Sequence, residues 1–399
     1  MPVHAKRYTQ PAALKLVVRL RGWFAAHARD LPWRRTRDPY AIWVSEIMLQ
    51  QTQVKTVIPY WERWMRELPT IRALANASPA RLHKLWEGLG YYTRVRNLQK
   101  AAQQIIAHHN DRFPEDFDAV LALPGIGRYT AGAICSIAFN QPRPILDGNV
   151  IRVLTRIFGI ASNPREKKTN ARLWQLATEL VTRAHERWGV RPREPHSRNF
   201  RPARRESRPA NSCSHLNQSL MELGALICTP RSPDCAACPV QKLCLARKEN
   251  SQARLPNLGP RAATRPRRFL AFVVERNGRF LVRQRPAEVV NAQLWEFPNV
   301  ECLAAPSSLR RDAATMLSQR AVVTVPLPGL RLRGAQPLLS LNHSITRYRI
   351  TLEVWRAKLE PQSSPRRKMP GRWLTLPQLQ HLAFSSAHKK ILVRLATAP

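Results

Sequence analysis

Apolar residues recur at helical spacing through most of the first 230 residues of the chain. Residues 12–28 (AALKLVVRLRGWFAAHA) place apolar and basic positions with the period of a helix. The same spacing predicts helices over residues 40–58, 80–108, 128–140, 147–159, 170–188 and 215–227. Because strand patterns are scarce in this part, we expect it to be mostly α-helical.

The pattern changes after residue 268. Residues 269–276 and 279–284 read as strands on either side of Asn277-Gly278, a dipeptide typical of a tight hairpin. Residues 321–325 and 345–358 predict further strands, and helices are expected at about 307–319 and 385–396. The C-terminal part is therefore predicted to be an α+β domain.

Two segments lack the apolar residues that a core needs. Residues 189–213 are rich in Arg and Pro, which predicts a flexible basic insertion. Residues 246–267 have a similar composition and are expected to form an interdomain linker. The predicted domains are then 1–245 and 268–399.

The chain is strongly basic, with 65 Lys and Arg against 26 Asp and Glu and a formal net charge of +39. Such a charge favours a polyanionic partner, and duplex DNA or RNA is the first candidate. A compositional bias toward Arg is the alternative. No run of 18 apolar residues and no secretory pattern after Met1 occur, so we expect no membrane partner and a bacterial cytoplasmic location.

Four of the seven cysteines lie within 17 residues, with the spacing C-x6-C-x2-C-x5-C: Cys228, Cys235, Cys238 and Cys244. Four thiolates this close can hold one tetrahedral metal ion or one cube-shaped iron–sulfur cluster. Zinc is the alternative, but a zinc ribbon usually has two C-x2-C pairs and this segment has one.

A turn that precedes a helix carries two glycines, Gly125 and Gly127, within Leu123–Ala131 (LPGIGRYTA). Backbone N–H groups at such a turn, together with the helix N-terminus, can bind one phosphate without reading sequence. An ordinary connection between helices is the alternative.

Two acids stand out in this basic chain. Asp147 follows the phosphate-binding helix and could act on bound DNA, cap the next helix, or do both. Glu46 is the only acid between Asp38 and Glu62, on a helix that is otherwise apolar and amide-rich. From its own segment alone, Glu46 reads as a surface residue.

Taken together, these segments closely resemble the MutY family of adenine DNA glycosylases. The matching segments occur in order over residues 30–245: Leu31–Arg34, Trp43–Thr52, Gly88–Tyr92, Leu123–Ala131, Leu146–Val150 and the four cysteines. The resemblance implies a mostly α helix-hairpin-helix glycosylase domain with a 4Fe–4S loop, followed by a C-terminal α+β Nudix-like domain. It also implies a partner, double-stranded DNA with adenine opposite 8-oxoguanine or guanine, bound by a monomer.

The resemblance further implies roles for individual residues. Glu46 would protonate the flipped adenine, and Asp147 would stabilise the sugar cation or trap it covalently. Tyr129 and Asn149 would position the two carboxylates, and Arg34 would hold the adenine. Gln51 and Tyr91 would fill the space that the flipped base leaves. Gly125 and Gly127 would contact a phosphate.

Tyr129 separates two types of reaction. Related glycosylase-lyases carry a Lys at the matching position, where it forms a Schiff base with the sugar; a phenol cannot do so. We therefore expect base removal without a true lyase step. An endonuclease III-like lyase and a DNA-binding module without catalysis are the two competing hypotheses.

The C-terminal domain is expected to read the base opposite the adenine rather than to hydrolyse nucleotides. A Nudix hydrolase needs a Glu-rich helix for Mg²⁺, and Ser307–Gln319 offers only Asp312. Where the family commonly has Phe-Ser-His, alignment on the following strand places Ile345, Thr346 and Arg347. Thr346 is the expected reader and Arg347 an expected phosphate contact; a domain that only adds stability is the alternative.

Overall fold

The structure, a computed structural model, describes residues 10–188, 211–260, 263–302, 323–324, 331–345, 347–359 and 371–397. The helices in these ranges are α1 (Gln10–His27), α2 (Pro39–Leu49), α3 (Val54–Glu67), α4 (Ile71–Asn76), α5 (Pro79–Leu85), α6 (Thr93–His109), α7 (Phe117–Leu121), α8 (Arg128–Ala138), α9 (Gly148–Ile157), α10 (Lys167–Trp188), α11 (Ser212–Leu226), α12 (Leu245–Lys248), α13 (Leu376–Gln380) and α14 (Ser386–Thr397). The strands are β1 (Arg265–Arg276), β2 (Arg279–Gln284), β3 (Trp295–Glu296), β4 (Asn299–Cys302), β5 (Val323–Thr324), β6 (Arg331–Ile345), β7 (Tyr348–Leu359) and β8 (Arg372–Thr375).

The chain forms two compact units, and each is discontinuous in sequence. The first comprises residues 1–76 and 97–261, and the second comprises residues 77–96 and 262–399. The sequence predicted neither the inclusion of residues 77–96 in the second unit nor the packing of residues 246–260 in the first.

Helices α1, α9, α10 and α11 supply one buried core of the first unit. The reason is clearest in α9, where Val150, Val153, Leu154 and Ile157 are all buried. Their spacing of three and four residues puts them on one face of the helix, so burying that face holds α9 against its neighbours. The mostly α-helical prediction for this part is confirmed.

Two predicted helices are interrupted. The one expected over residues 40–58 ends at Leu49 and restarts at Val54, because Gln51 takes a left-handed backbone conformation with φ of 57°. The one expected over residues 80–108 breaks between Leu85 and Thr93. Gly88 and Gly90 there have φ of 112° and 69°, which helical backbone does not allow.

The second unit is built on a sheet with strand order β3-β2-β1-β7-β6-β5, in which β4 also pairs with β1 and β8 with β2. The predicted hairpin of β1 and β2 is confirmed, with Asn277 and Gly278 both at positive φ. Strand β7 runs parallel to β1 and antiparallel to β6. Phe297 and Phe384 stack in the core with ring centroids 5.7 Å apart.

The long strand β6 was not predicted. Its pairing with β7 shifts register between Arg333 and Gln336 and again between Pro337 and Leu339, which destroys the simple alternation that marks a strand. The strand predicted over 345–358 is shorter, since β7 begins at Tyr348. The helix expected at 307–319 and the expected reader Thr346 lie outside the described residues.

The limits of the predicted insertion and linker need correction. Ser212 and Cys213, assigned to the insertion, begin α11 and are fully buried. Asn140 Oδ1 accepts a hydrogen bond from the Cys213 N–H at 2.9 Å. Part of the linker is also packed: Leu255 is 6% exposed and its carbonyl accepts a hydrogen bond from Arg156 Nε at 2.9 Å. Residues 189–210 lie outside the described residues.

None of the helices in the described residues has the length and apolar character needed to cross a bilayer.

A glycine contact in α8 gives a stability prediction. A Cβ added at Gly132 would lie 2.2 Å from the carbonyl oxygen of Pro144, so Gly132→Ala must push backbone apart. We expect the free energy of unfolding to fall by about 3 kcal/mol. Gly22, exposed on α1 with nothing within 4 Å of the added Cβ, is the control: Gly22→Ala should raise that free energy by about 0.5–1 kcal/mol. Urea denaturation of both variants measures this, and equal stabilities would contradict the contact.

Candidate active site

A cavity of about 620 Å³ opens in the first unit between α2, α8, α9 and α11. Four residues that the sequence singled out for chemistry line its wall: Glu46, Tyr129, Asp147 and Asn149. They come from three different helices or their caps. The fold therefore brings together both predicted acids, which are about 100 residues apart along the chain.

Glu46 lies on α2 and is only 6% exposed, which rules out the surface interpretation. Burial disfavours the charged carboxylate and raises the pKa of Glu46 to about 7, and the negative charge of Asp147 adds to the rise. The hydroxyl of Tyr129 donates a hydrogen bond to Glu46 Oε2 at 3.0 Å, which limits the rise. Near neutral pH this carboxyl can therefore hold or release a proton.

Asp147 caps a helix, one of the two roles that the sequence left open, and it also lines the cavity; its action on DNA stays a prediction. Its side chain caps α9, with Oδ1 accepting a hydrogen bond from the Val150 N–H at 2.7 Å. Its other oxygen, Oδ2, accepts one from Asn149 Nδ2 at 2.9 Å. Burial raises the pKa of Asp147, and these two hydrogen bonds oppose the rise.

Arg152, which sequence reasoning missed, ties this acid to the cysteine segment. Its guanidinium donates to Asn149 Oδ1 at 2.8 Å, to the Gly224 carbonyl at 2.7 Å and to the Cys228 carbonyl at 2.7 Å. Gly224 is itself required, because a Cβ there would lie 2.7 Å from the Cβ of Asn149. No local sequence pattern marks either residue.

A second buried acid, Glu222 on α11, was also missed. Both of its oxygens are held by Arg29 and Arg34 at 2.7–3.1 Å. Burial alone would raise the pKa of Glu222, but these hydrogen bonds outweigh it and lower the pKa to about 2. As the lone acid of α11, Glu222 could have been found by the reasoning that marked Glu46. Arg34 lines the cavity as expected, and its contact with adenine stays a prediction.

The glycine turn before α8 leads directly into the N-terminus of that helix. Gly125 has φ of 79°, and a Cβ there would lie 2.7 Å from Asn97 Cβ, so only glycine fits. Gly127 caps α8, and an added Cβ would meet nothing within 4 Å. The N-terminus of α8 is thus open to a ligand from outside.

The residues expected to occupy the space of a flipped base lie in different units. Gln51 lines the cavity of the first unit, while Tyr91 belongs to the second. Both have positive φ, 57° and 47°, which is uncommon for residues other than glycine and is often found at functional sites. Arg347 is exposed and donates a hydrogen bond to the Tyr348 hydroxyl at 3.2 Å.

The four clustered cysteines line one cavity beside α9. Arg156 is 2% exposed and donates hydrogen bonds to Cys228 Sγ at 3.3 Å and to the Thr229 carbonyl at 2.7 Å. Within the described ranges, no three His, Cys, Asp or Glu side chains come close enough to hold a single metal ion. The donor set of four thiols around one enclosed space fits an iron–sulfur cluster, and Arg156 supplies a positive charge beside it.

Three families match consecutive parts of the chain. The family described as HhH-GPD superfamily base excision DNA repair protein matches residues 44–179. The iron-sulfur binding domain of endonuclease III matches residues 228–244, and the NUDIX domain matches residues 270–394. The helix-hairpin-helix and Nudix-like assignments from the sequence are confirmed.

Several relatives with similar sequences are adenine DNA glycosylases. The adenine DNA glycosylase of Rattus norvegicus is 37% identical over 93% of this chain and 76% of its own length, and that of Homo sapiens is 36% identical over 93% and 72%. That of Buchnera aphidicola subsp. Schizaphis graminum is 34% identical over 70% and 73%. Among solved structures, a thermostable thymine-DNA glycosylase matches with a TM-score of 0.50 and 27% identity, over 61% of this chain and all of its own.

The buried Glu46 predicts a pH-dependent stability. Unfolded Glu46 loses its proton from about pH 4.5, whereas folded Glu46 keeps it to about pH 7, so the folded state loses stability as pH rises through this window. The pKa difference corresponds to about 3 kcal/mol at roughly 1.4 kcal/mol per pKa unit.

Glu46→Gln removes this loss, since glutamine is neutral and still accepts the Tyr129 hydrogen bond. The variant should be more stable than the parent protein at pH 8 by up to about 3 kcal/mol, with a much smaller difference at pH 5. Urea denaturation at both pH values measures it. The same change at exposed Glu62 should leave stability unaltered, and an equal gain from both variants would contradict the assigned pKa of Glu46.

Proposed function

The chain belongs to the adenine DNA glycosylases of base excision repair, and we propose that it removes adenine paired with 8-oxoguanine or guanine without cutting the strand. The observation that carries this proposal is the pairing of Glu46 and Asp147 in one cavity, with the pKa of Glu46 near 7. A carboxylic acid and a carboxylate in one site are what hydrolysis of an N-glycosidic bond needs.

The reaction begins with the adenine flipped into the cavity. Glu46 donates its proton to a ring nitrogen of adenine, so that the base leaves as a neutral molecule with the electrons of the glycosidic bond. Asp147, oriented by Asn149 and the Val150 N–H, stabilises the positive charge that develops on the sugar, or bonds to it transiently. Water then adds to the sugar carbon, and its proton restores Glu46.

Tyr129 supports a reaction without a lyase step. Its hydroxyl, 3.0 Å from Glu46 Oε2, orients the acid, and burial raises the pKa of Tyr129 well above its ordinary value, so it stays a neutral donor. A phenol cannot form a Schiff base with the sugar. The abasic site is therefore the expected product.

The remaining assignments follow the same proposal. The first unit would act as the glycosylase domain, and the second unit would read the opposite base, with Thr346 as reader. Gly125 and Gly127 would contact a DNA phosphate, and the basic insertion would add phosphate affinity. The monomeric state and the bacterial cytoplasmic location stay predictions.

Glu46→Gln tests the chemistry. On a duplex with one adenine opposite 8-oxoguanine, the single-turnover rate of adenine release should fall by about 100-fold or more, with binding nearly unchanged. Glu62→Gln, the same change on an exposed acid of α3, should keep the parent rate. Strands should break only after alkali treatment.

A parent rate for Glu46→Gln would contradict the acid assignment. Strand cleavage without alkali, together with borohydride trapping of the protein on DNA, would favour the lyase alternative instead.

We propose that the cysteine loop holds a 4Fe–4S cluster through Cys228, Cys235, Cys238 and Cys244. When bound, the cluster would fix the loop rather than act on the glycosidic bond.

The purified protein should be brown and carry about four irons per chain. Cys228→Ser should lose iron, whereas Cys302→Ser, outside the cavity, should keep it. Iron and zinc analysis measures both; colourless protein with one zinc per chain would contradict the assignment.

A further inference from the structure

The buried carboxylate of Glu87 joins distant parts of the second unit. Glu87 follows α5 and is 5% exposed. Its oxygens accept hydrogen bonds from the Phe384 N–H at 3.0 Å, from Lys389 Nζ at 2.5 Å and from Lys84 Nζ at 3.0 Å. Two of these donors lie 297 and 302 residues further along the chain.

Lys84 reinforces the same connection. Its ammonium group also donates to the carbonyls of Gln380 at 2.6 Å and Leu382 at 3.1 Å. We call Lys84, Glu87, Lys389 and the Phe384 N–H the Glu87 clamp. Burial would raise the pKa of Glu87, but the hydrogen bonds, above all from Lys389, lower it, so Glu87 is charged at neutral pH. A buried, multiply paired carboxylate is costly to disrupt from one side.

The clamp stands beside the turn that carries Tyr91. On the other side of this turn, Arg96 Nη1 donates to the Ala292 carbonyl at 3.4 Å. The turn between these two attachments contains Gly88, Gly90 and Tyr91, all at positive φ. A non-glycine residue in this conformation persists where its surroundings hold it.

Tyr91 also faces the hairpin end of the sheet. Tyr91 is 44% exposed and lines a cavity of about 480 Å³ whose other walls include Val290, His343, Ser344 and Ile345. His343 and Ile345 are on the last residues of β6, directly before the turn to β7. One cavity is therefore shared by the Tyr91 turn and the β6–β7 hairpin. The turn is expected to fill the gap left by the flipped adenine, and the hairpin is expected to read the opposite base.

We propose that Glu87 is a positioning residue that fixes the Tyr91 turn against the β6–β7 hairpin, so that the preference for 8-oxoguanine over guanine depends on the Glu87 clamp. This inference rests on the proposed function, because the preference is measured through the rate of adenine release. Glu87 touches neither the cavity of Glu46 nor the reacting atoms, so its effect falls on discrimination between opposite bases rather than on the chemical step.

The test compares Glu87→Gln and Lys389→Met with Lys390→Met in the full-length protein. Lys390 adjoins Lys389 and is exposed, which makes it a matched control. Glutamine at 87 still accepts a hydrogen bond from the Phe384 N–H but loses the charge that both lysines require. Lys389→Arg keeps the charge and should retain parent behaviour.

The first readout is amide hydrogen exchange of residues 88–92 without DNA. Exchange should become about tenfold faster in Glu87→Gln and Lys389→Met and stay unchanged in Lys390→Met and Lys389→Arg. Unchanged exchange in Glu87→Gln and Lys389→Met would contradict the proposal that the Glu87 clamp holds the Tyr91 turn. Because this readout uses no substrate, it decides whether Glu87 holds the turn even if the protein releases no adenine and the proposed function fails.

The second readout is the ratio of single-turnover rates for adenine opposite 8-oxoguanine and opposite guanine. The ratio should fall by about tenfold in Glu87→Gln and Lys389→Met, with the rate opposite guanine within about twofold of the parent rate. A general loss of structure would lower both rates together and would contradict the positioning role. Faster exchange with an unchanged ratio would also overturn it.

Discussion

The cost of burying a carboxylate governs the first unit. Glu46 and Glu222 both line the same cavity, and they differ in what surrounds them. Glu222 is bound by two guanidinium groups and has a pKa of about 2, whereas Glu46 receives one phenolic hydrogen bond and has a pKa of about 7. In a chain with a net charge of +39, holding arginines away from one acid is as specific a requirement as supplying them to the other. Arg29 and Arg34 donate their hydrogen bonds to Glu222, and Glu46 accepts one from Tyr129.

The acid-bearing cavity and the cysteine loop form one connected structure. Arg152 links Asn149, which orients Asp147, to the carbonyl of Cys228. Arg156, one turn later on α9, donates to the sulfur of the same cysteine. Helix α9 therefore has the acid Asp147 as its N-cap and contacts the cysteine loop through Arg152 and Arg156. A change in the loop can alter the orientation of Asp147 without any contact to DNA.

Short-range chemistry explains what the sequence could predict. The Asn277-Gly278 hairpin, the glycine turn before α8 and the cap by Asp147 depend on residues within a few positions of one another, and all could be found from spacing. The pairing of Arg34 with Glu222 spans 188 residues, and nothing local marks it. The predictions of continuous helices across Gln51 and Gly88 were wrong for another reason. The apolar spacing continues across both residues, but the helical backbone conformation does not. Tertiary packing also sets the register shifts in β6, which kept that strand from being predicted. It likewise sets the long-range partners of residues 77–96.

The discontinuity of the second unit affects the order in which the chain folds during synthesis. Residues 77–96 leave the ribosome early, yet the partners of Glu87 are 297 and 302 residues downstream. At translation rates of roughly 5–20 residues per second, this segment waits for about 15–60 s before its partners exist. Throughout that interval the Glu87 carboxylate lacks its hydrogen bonds from Phe384 and Lys389 and has only Lys84 beside it. Native assembly of this unit is thus a late event with high contact order, although the segment that starts it is among the first to be made.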